Sequence, residues 1–351
     1  MYTKHITSSK ISAKEALQQL NNVNLSKVLF LIDKESKLAG SITDGDIRRG
    51  LLNNISLNEP VSKFMNSNTQ FIYDSKYSIK DIIKLRRKKY EAVPILDDQN
   101  KIVNIIDFNV QKNLLPIESI IMAGGLGSRL MPLTKDTPKS LLKIGDKSVI
   151  EYNIDRLKKF GVNKFHFCLN HMSSKIKNYL NSSYSNEFNS LQFEFILEEF
   201  KMGTIGAVSK INNLNNDYIL ISNSDFITTL DYEKFFLDFL EKGADLSMVS
   251  IPYIVDVPYG VTTIDTYDNK IVSLEEKPKY TYYCNAGIYL IKKSIMREIP
   301  KNEQFDATSL VEKLVKKKFK VISYTTHEYW LDIGSIDDYK KAKKDIGSLK
   351  L

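Results

Sequence analysis

The run Ile117-Glu118-Ser119-Ile120-Ile121-Met122 passes directly into Ala123-Gly124-Gly125-Leu126-Gly127, a short apolar strand opening onto a loop with three glycines. Downstream the pattern alternates. A helical pattern over 149–160 closes at Gly161, and a strand at 165–169, a helix at 174–180 and a strand at 191–197 follow. A helix at 204–211 and a strand at 218–221 complete the series. Strands regularly separated by helices predict an α/β fold, a mostly parallel mixed sheet with helices on both faces. Ligands of such sheets collect at the carboxyl ends of the strands, which is where the glycine loop sits.

Three readings of that loop compete. A dinucleotide fingerprint needs G-x-G-x-x-G opening a helix, whereas Gly127 is followed by Ser128-Arg129-Leu130 and then Pro132, with no third spaced glycine. A P-loop needs Gly-Lys-Ser or Gly-Lys-Thr, which is missing. What remains is a loop whose small residues let backbone N–H groups approach an anion. Arg129 would act as a charged clamp and Lys139 as a second positive centre. An ordinary glycine turn would leave both cations as coincidence.

The first 115 residues are organised differently. Helix, strand, turn and strand at 13–20, 28–32, 33–37 and 38 onward recur at 79–88, 92–96, 97–100 and 101 onward. Each copy is too small to bury its apolar face alone, so the two should pack together. The segment resembles a tandem cystathionine-beta-synthase (CBS) domain pair, a small α+β module that commonly binds adenine nucleotides. The resemblance implies Gly40, Thr43 and Asp46 as ribose and phosphate contacts in the first copy. The matching positions of the second are Asn104, Asp107 and Val110, so at most one site looks intact. Ligand binding and a structural or dimerising role both stay open, and a homo-oligomer formed through this pair is expected.

From Glu118 onward the chain resembles the sugar-1-phosphate nucleotidyltransferases, or NDP-sugar pyrophosphorylases. The likeness rests on GGLGSRLMPLT with TPKSLLKIGDKSVIEY, then Lys201-Met202-Gly203-Thr204, Asn223-Ser224-Asp225, Tyr259-Gly260-Val261, Glu275-Glu276-Lys277-Pro278, Asn285-Ala286-Gly287 and Trp330-Leu331-Asp332 in the family's order. It implies a Rossmann-like nucleotide-diphospho-sugar transferase domain at 118–351, preceded by the CBS pair at 1–115. In that family a sugar 1-phosphate attacks the α-phosphorus of an NTP and pyrophosphate leaves. The resemblance places Ala123, Gly124, Gly125, Gly127, Gly203 and Thr204 at the nucleotide, and Arg129 and Lys139 at its phosphates. Asp225 and Asp332 become ligands of a catalytic Mg²⁺. Gly260, Glu276, Lys277 and Asn285 fall to the sugar phosphate.

The base is read from Glu198, which stands where relatives using uridine or thymidine nucleotides carry a Gln. A carboxylate accepts hydrogen bonds and donates none, which suits the N1–H and N2–H₂ edge of guanine. This favours GTP, though Glu198 or Glu199 facing water is an open alternative. A CBS pair ahead of such a domain resembles the glucosamine-1-phosphate guanylyltransferases of legionaminic acid synthesis. Mannose 1-phosphate with GTP, and UTP- or dTTP-dependent transfer, remain alternatives. So does a catalytically inactive nucleotide sensor, which would be expected to lose Arg129, Lys139, Asp225 or Asp332; all four are present. Ser224 stands where the family usually has Gly.

Composition excludes several classes. No apolar run approaches the roughly 18 residues of a membrane span, and the polar N-terminus lacks a signal-peptide core, so a soluble cytoplasmic protein is expected. The two cysteines, Cys168 and Cys284, lie in apolar strand-like runs and read as reduced core residues. The +8 net charge is spread along lysine-rich helices without a recognition pattern for nucleic acid.

Overall fold

The computed structural model describes residues 2–23, 26–187 and 190–349. It divides into two compact units, one of residues 1–115 with 159–161 and one of residues 116–158 with 162–351.

In the first unit each repeat builds a three-stranded sheet. The first copy contains β1 (Ile6–Ser8), α1 (Ala13–Asn22), β2 (Val28–Ile32), β3 (Leu38–Thr43) and α2 (Asp44–Leu52). The second contains β4 (Ile72–Tyr73), α3 (Ile79–Arg87), β5 (Ala92–Leu96) and β6 (Ile102–Asp107). In each, the first strand pairs parallel to the second and the second antiparallel to the third. The registers Val28↔Thr43 and Ala92↔Asp107 correspond, and both copies carry an irregularity at the same place, Leu31/Ile32 and Ile95/Leu96. All three helices begin with reciprocal caps, Ser12 with Glu15, Thr43 with Asp46 and Ser78 with Asp81, which satisfy otherwise orphaned N–H groups. The copies meet where Leu38 N–H donates to the Asn100 carbonyl and where Val28 and Phe30 pack on Ala92 and Ile105. Each large side chain fully buried there contributes about 1.5–3 kcal/mol. Among the described residues the second copy has no counterpart of α2: after β6, Asp107 accepts a bond from the Ser26 hydroxyl instead.

The second unit is built on β7 (Ile117–Met122), the hairpin strands β8 (Lys143–Ile144) and β9 (Lys147–Ser148), α4 (Val149–Lys158), β10 (Lys164–Leu169), α5 (Ser173–Ser183) and β11 (Gln192–Leu197). There follow β12 (Tyr218–Asn223), β13 (Phe226–Thr228), α6 (Tyr232–Glu241), β14 (Leu246–Asp256), β15 (Val261–Ile264), β16 (Ile271–Glu275) and β17 (Lys279–Lys292). The last elements are α7 (Ala307–Lys316), β18 (Val321–Thr325), β19 (Trp330–Asp332) and α8 (Ile336–Asp345). Seven strands form the central sheet in the order β11-β10-β7-β12-β17-β14-β18. The first four are mutually parallel, and β17 is antiparallel to both neighbours. Alternate residues of β12 face opposite layers: Ile219 and Ile221 join Leu310 and Leu314 of α7, while Tyr218 packs edge-on against Phe236 of α6. The expected α/β sheet, covered on both faces, is therefore present.

Two expectations are corrected. The helix expected over 204–211 is a 3₁₀ turn, Gly206–Lys210, because Gly203 at φ +76° breaks the chain against the Phe305 carbonyl, which a Cβ would approach to 2.6 Å. Cys168 is buried as expected, but Cys284 is exposed, since its strand leaves the core at this point. From residue 251 to 256 and from 279 to 284, β14 and β17 pair only with each other and project as a two-stranded ribbon, with the β15–β16 hairpin beyond them.

Candidate active site

A cavity of about 470 Å³ opens at the carboxyl ends of the parallel strands. The end of β7 forms its floor. Ala123 N–H donates to the Cys168 carbonyl, and the chain then turns away through the glycines. A Cβ on Gly124 would lie 3.0 Å from Glu198 Oε1 and 3.2 Å from Asn170 Cβ, so a side chain there would crowd both cavity residues. Gly125 has open space around it, leaving its backbone accessible from the cavity. Gly127 takes φ +64° and its carbonyl accepts from the Thr134 hydroxyl, which fixes the exit of the loop.

Lys139 follows Pro138 at the head of a 3₁₀ turn, and its Nζ lies 2.6 Å from Asp225 Oδ2 and 3.6 Å from Asp332 Oδ1. The two carboxylates come from distant parts of the chain. A short antiparallel pair joins them: Phe226 of β13 is in register with Asp332 of β19, and Ile333 N–H donates to the Asp225 carbonyl. Burial and the neighbouring Asp225 raise the Asp332 pKa, against the opposing pull of Lys139 and Arg129. Two hard oxygen donors side by side, both partly exposed, suit a cation such as Mg²⁺ that keeps waters and substrate phosphates in its shell. Among the described residues no cluster of three or more His, Cys, Asp or Glu forms a fuller metal cage.

Glu198 and Glu199 are separated by the structure. Glu198 N–H donates to the Leu169 carbonyl and its Oε2 accepts from Asn170 Nδ2 at 3.3 Å, so its carboxylate lines the cavity. Glu199 is exposed and pairs with Lys210. Thr204 also lines the cavity, but its hydroxyl accepts from Ala307 N–H while its own N–H donates to Asp306, locking the segment to the start of α7. Asn170 and Gln304 are lining residues that carry no motif in the sequence. Only the position of Asn170 just after β10, at the carboxyl edge of the sheet, signalled it.

The expected residues separate into two groups. Ala123, Gly124, Gly125, Gly127, Arg129, Lys139, Glu198, Gly203, Thr204 and Asp225 all line the cavity, with Asp332 beside Lys139. Gly260, Glu276 and Lys277 do not. They lie exposed in the loops between the ribbon and the β15–β16 hairpin, where a Cβ on Gly260 would come within 3.0 Å of Glu276 Oε2. Asn285 stands at the base of the ribbon, its side chain donating to the Tyr289 hydroxyl and accepting from Gly287 N–H, and Gly287 packs on Asn223 of the cavity.

In the N-terminal unit, Gly40 leaves room for the Asn66 carbonyl and the Met65 sulfur, each of which a Cβ would meet at 2.9 Å. Thr43 and Asp46 are engaged with each other in the cap of α2, and Asp46 also pairs with Arg49. Internal packing thus accounts for the residue type at all three positions.

The profile of the nucleotidyl transferase family matches residues 118–348. This chain belongs to the nucleotidyl transferase family. The resemblance drawn from the ordered motifs holds at that level. The nucleotidyltransferase is 27% identical over 234 residues to the D-glycero-alpha-D-manno-heptose 1-phosphate guanylyltransferase of Aneurinibacillus thermoaerophilus, covering 66% of this chain and 98% of that protein. It is 28% identical over 225 residues to the enzyme of the same name from Campylobacter jejuni, covering 64% and 97%. Among solved structures, HddC from Yersinia pseudotuberculosis complexed with GMP-PN is similar at a TM-score of 0.50 and 28% identity, over 65% of this chain and 99% of that one. A putative glucose-1-phosphate thymidylyltransferase from Bacillus anthracis shares the fold, with a TM-score of 0.52 and 24% identity over 67% of this chain and 97% of that one. Among the described residues no helix of the nucleotidyltransferase is long and apolar enough to cross a membrane.

Proposed function

We propose that the chain transfers a guanylyl group from GTP to a sugar 1-phosphate, giving a GDP-sugar and pyrophosphate. The observation that carries this reading is Glu198, a carboxylate steadied by Asn170 beside the glycine loop. It can accept from the two donors of the guanine edge, whereas uracil would set a carbonyl oxygen against its charge. The guanylyltransferase names of two relatives support the same base.

In the transfer a phosphate oxygen of the sugar 1-phosphate attacks the α-phosphorus in line. A new P–O bond forms as the bond to the bridging α–β oxygen breaks, and pyrophosphate leaves with its electron pair. The attacking phosphate is already ionised, so no general base is required. Catalysis is then positioning and charge compensation. The backbone of 124–127 cradles the triphosphate, Arg129 clamps it, and Lys139 turns from the carboxylates toward the α-phosphate and the departing charge. Asp225 and Asp332 would hold magnesium, which when bound supplies positive charge against the phosphates. Glu276 would accept from sugar hydroxyls and Lys277 meet the sugar phosphate, with Gly260 and Asn285 against the ring.

The relatives' names favour a heptose 1-phosphate, while the domain order favours glucosamine 1-phosphate on the route to legionaminic acid. The N-terminal repeats are read as a CBS pair, with an adenine nucleotide at Gly40, Thr43 and Asp46 and a regulatory or dimerising role in a cytoplasmic enzyme. Glu198→Gln tests the base. Losing a charged hydrogen-bond acceptor is worth about 1.5–3 kcal/mol, so the ratio of kcat/KM for GTP over UTP should fall roughly 10- to 100-fold. An unchanged ratio contradicts the assignment.

A further inference from the structure

The parallel pairing of β10 with β11 runs to Leu169↔Leu197, so the next residues, Asn170 and Glu198, leave the sheet side by side at its carboxyl edge, and both line the cavity. The bond from Glu198 N–H to the Leu169 carbonyl carries the pairing one step further and fixes the backbone from which the carboxylate projects. Asn170 Nδ2 lies 3.3 Å from Glu198 Oε2 and 3.5 Å from the Phe200 carbonyl oxygen. Both neighbours only accept, so the amide turns its nitrogen and not its oxygen toward them. One N–H is held by the carboxylate. The other makes a contact at the outer limit of a hydrogen bond, which a better-placed acceptor can take over. Glu198, unlike Glu199, has no ion-pair partner among the described residues, so its negative charge is left to the cavity. Its second oxygen, Oε1, lies on the Gly124 side, where a Cβ would stand 3.0 Å away. The pair thus presents in order an acceptor, Oε1, an acceptor, Oε2, and a donor, Nδ2.

We infer that Asn170 is a second reader of the base, its amide N–H donating to guanine O6 while Glu198 accepts from N1–H and N2–H₂, a role that rests on the guanylyl-transfer reading. The order of donors and acceptors along the base edges decides the match. Guanine runs donor, donor, acceptor through N2, N1 and O6, the complement of the row. Uracil runs acceptor, donor, acceptor, and cytosine donor, acceptor, acceptor. Adenine offers a donor and an acceptor with no amino group beyond them. In either direction, each of these three sets a lone pair against a carboxylate oxygen, and an acceptor facing an acceptor forfeits its hydrogen bond to water without gaining another. Glu198 alone distinguishes guanine by its two donors. With Asn170 the site also reads position 6, and a purine that keeps both donors but lacks the oxygen becomes a poorer substrate. A mere clip on the carboxylate would act through Glu198 and leave position 6 unread.

Pyrophosphate release by the full-length protein with GTP, ITP, 6-thio-GTP and UTP separates the two roles, at a saturating concentration of the sugar 1-phosphate that supports the fastest release. ITP lacks the 2-amino group and reports on Glu198. In 6-thio-GTP a sulfur, a poor acceptor, replaces O6 and reports on Asn170. Wild-type kcat/KM should favour GTP over 6-thio-GTP by about 3- to 10-fold. Asn170→Ala should bring that ratio to within about twofold of one and leave the GTP/ITP ratio within about twofold of wild type, with the loss for GTP appearing in KM and not in kcat. Asn170→Asp keeps the shape, removes the donor and sets a second carboxylate against Glu198 and O6, so kcat/KM for GTP should fall further than with alanine. Both variants should melt near the wild-type temperature. A GTP/6-thio-GTP ratio near one in the wild type, or one unmoved in both variants, overturns the role of Asn170; so does a fall confined to the GTP/ITP ratio, which would make Asn170 only a clip on Glu198. Wild-type release as fast with UTP as with GTP overturns the guanylyl-transfer reading and this role with it, whereas the first three results leave GTP preferred over UTP and that reading standing.

Discussion

Lys139 holds Asp225 and Asp332 together, with its ammonium 2.6 Å from one carboxylate and 3.6 Å from the other. Replacing it with alanine removes the cation and leaves the two carboxylates to repel each other. Pyrophosphate release should fall by at least about 10³-fold while the protein still unfolds in one cooperative step near the wild-type temperature. Asp332→Asn separates activity from stability. Burial and Asp225 raise the Asp332 pKa, so the folded state binds its proton more tightly than the unfolded chain does. The charged form therefore opposes folding at neutral pH, and that opposition fades as pH drops through the folded pKa toward the ordinary carboxylate range. The asparagine variant should be inactive yet no less heat-stable than wild type at pH 7, and its advantage should shrink on acidification. A lower melting temperature at pH 7 would contradict the electrostatic description of the pair.

Among elements, what was legible in the sequence is what is local. Strand β7, its glycine exit and the following βα alternation carry their own patterns. The spacing of the two repeats survives as matching registers. What depends on distant pairing was not legible. No local pattern shows β13 pairing with β19, the contact that sets Asp225 beside Asp332; the motif resemblance supplied that pairing. The exposure of Cys284 and the projection of the ribbon followed from strand neighbours that end early, which an apolar run does not reveal. Nor did the sequence single out the buried row across the sheet, where Glu118 accepts from Asn216 N–H, from His166 Nε2 at 2.8 Å and from Lys164 at 3.1 Å. Glu194 Oε2 lies 3.0 Å from His166 Nδ1 without making a hydrogen bond to it. Burial pushes the Glu118 pKa up, but these bonds outweigh it and hold the group below its ordinary value. Its stabilisation is thus present above about pH 4.5 and lost as pH falls through the lower folded value. Glu118→Ala strands the row and should cost about 3–5 kcal/mol in urea unfolding; a loss under about 1 kcal/mol would show the row to be incidental.

Across the whole chain, the cavity and the ribbon belong to one unit, but Gly260, Glu276 and Lys277 sit outside the cavity lining, between the ribbon and its hairpin. On the proposed guanylyl transfer, this division would give the base and the sugar separate determinants, Glu198 in the cavity and Gly260, Glu276 and Lys277 beyond the ribbon. The central claim is guanylyl transfer to a sugar 1-phosphate. Its most direct test is a matrix of GTP, UTP, dTTP, CTP and ATP against the 1-phosphates of glucosamine, mannose, glucose and heptose, with magnesium present and pyrophosphate release as the readout. The account expects release to be fastest in the GTP row and to require a sugar 1-phosphate. Release that is equal or faster with UTP, or no release with any pair, contradicts it.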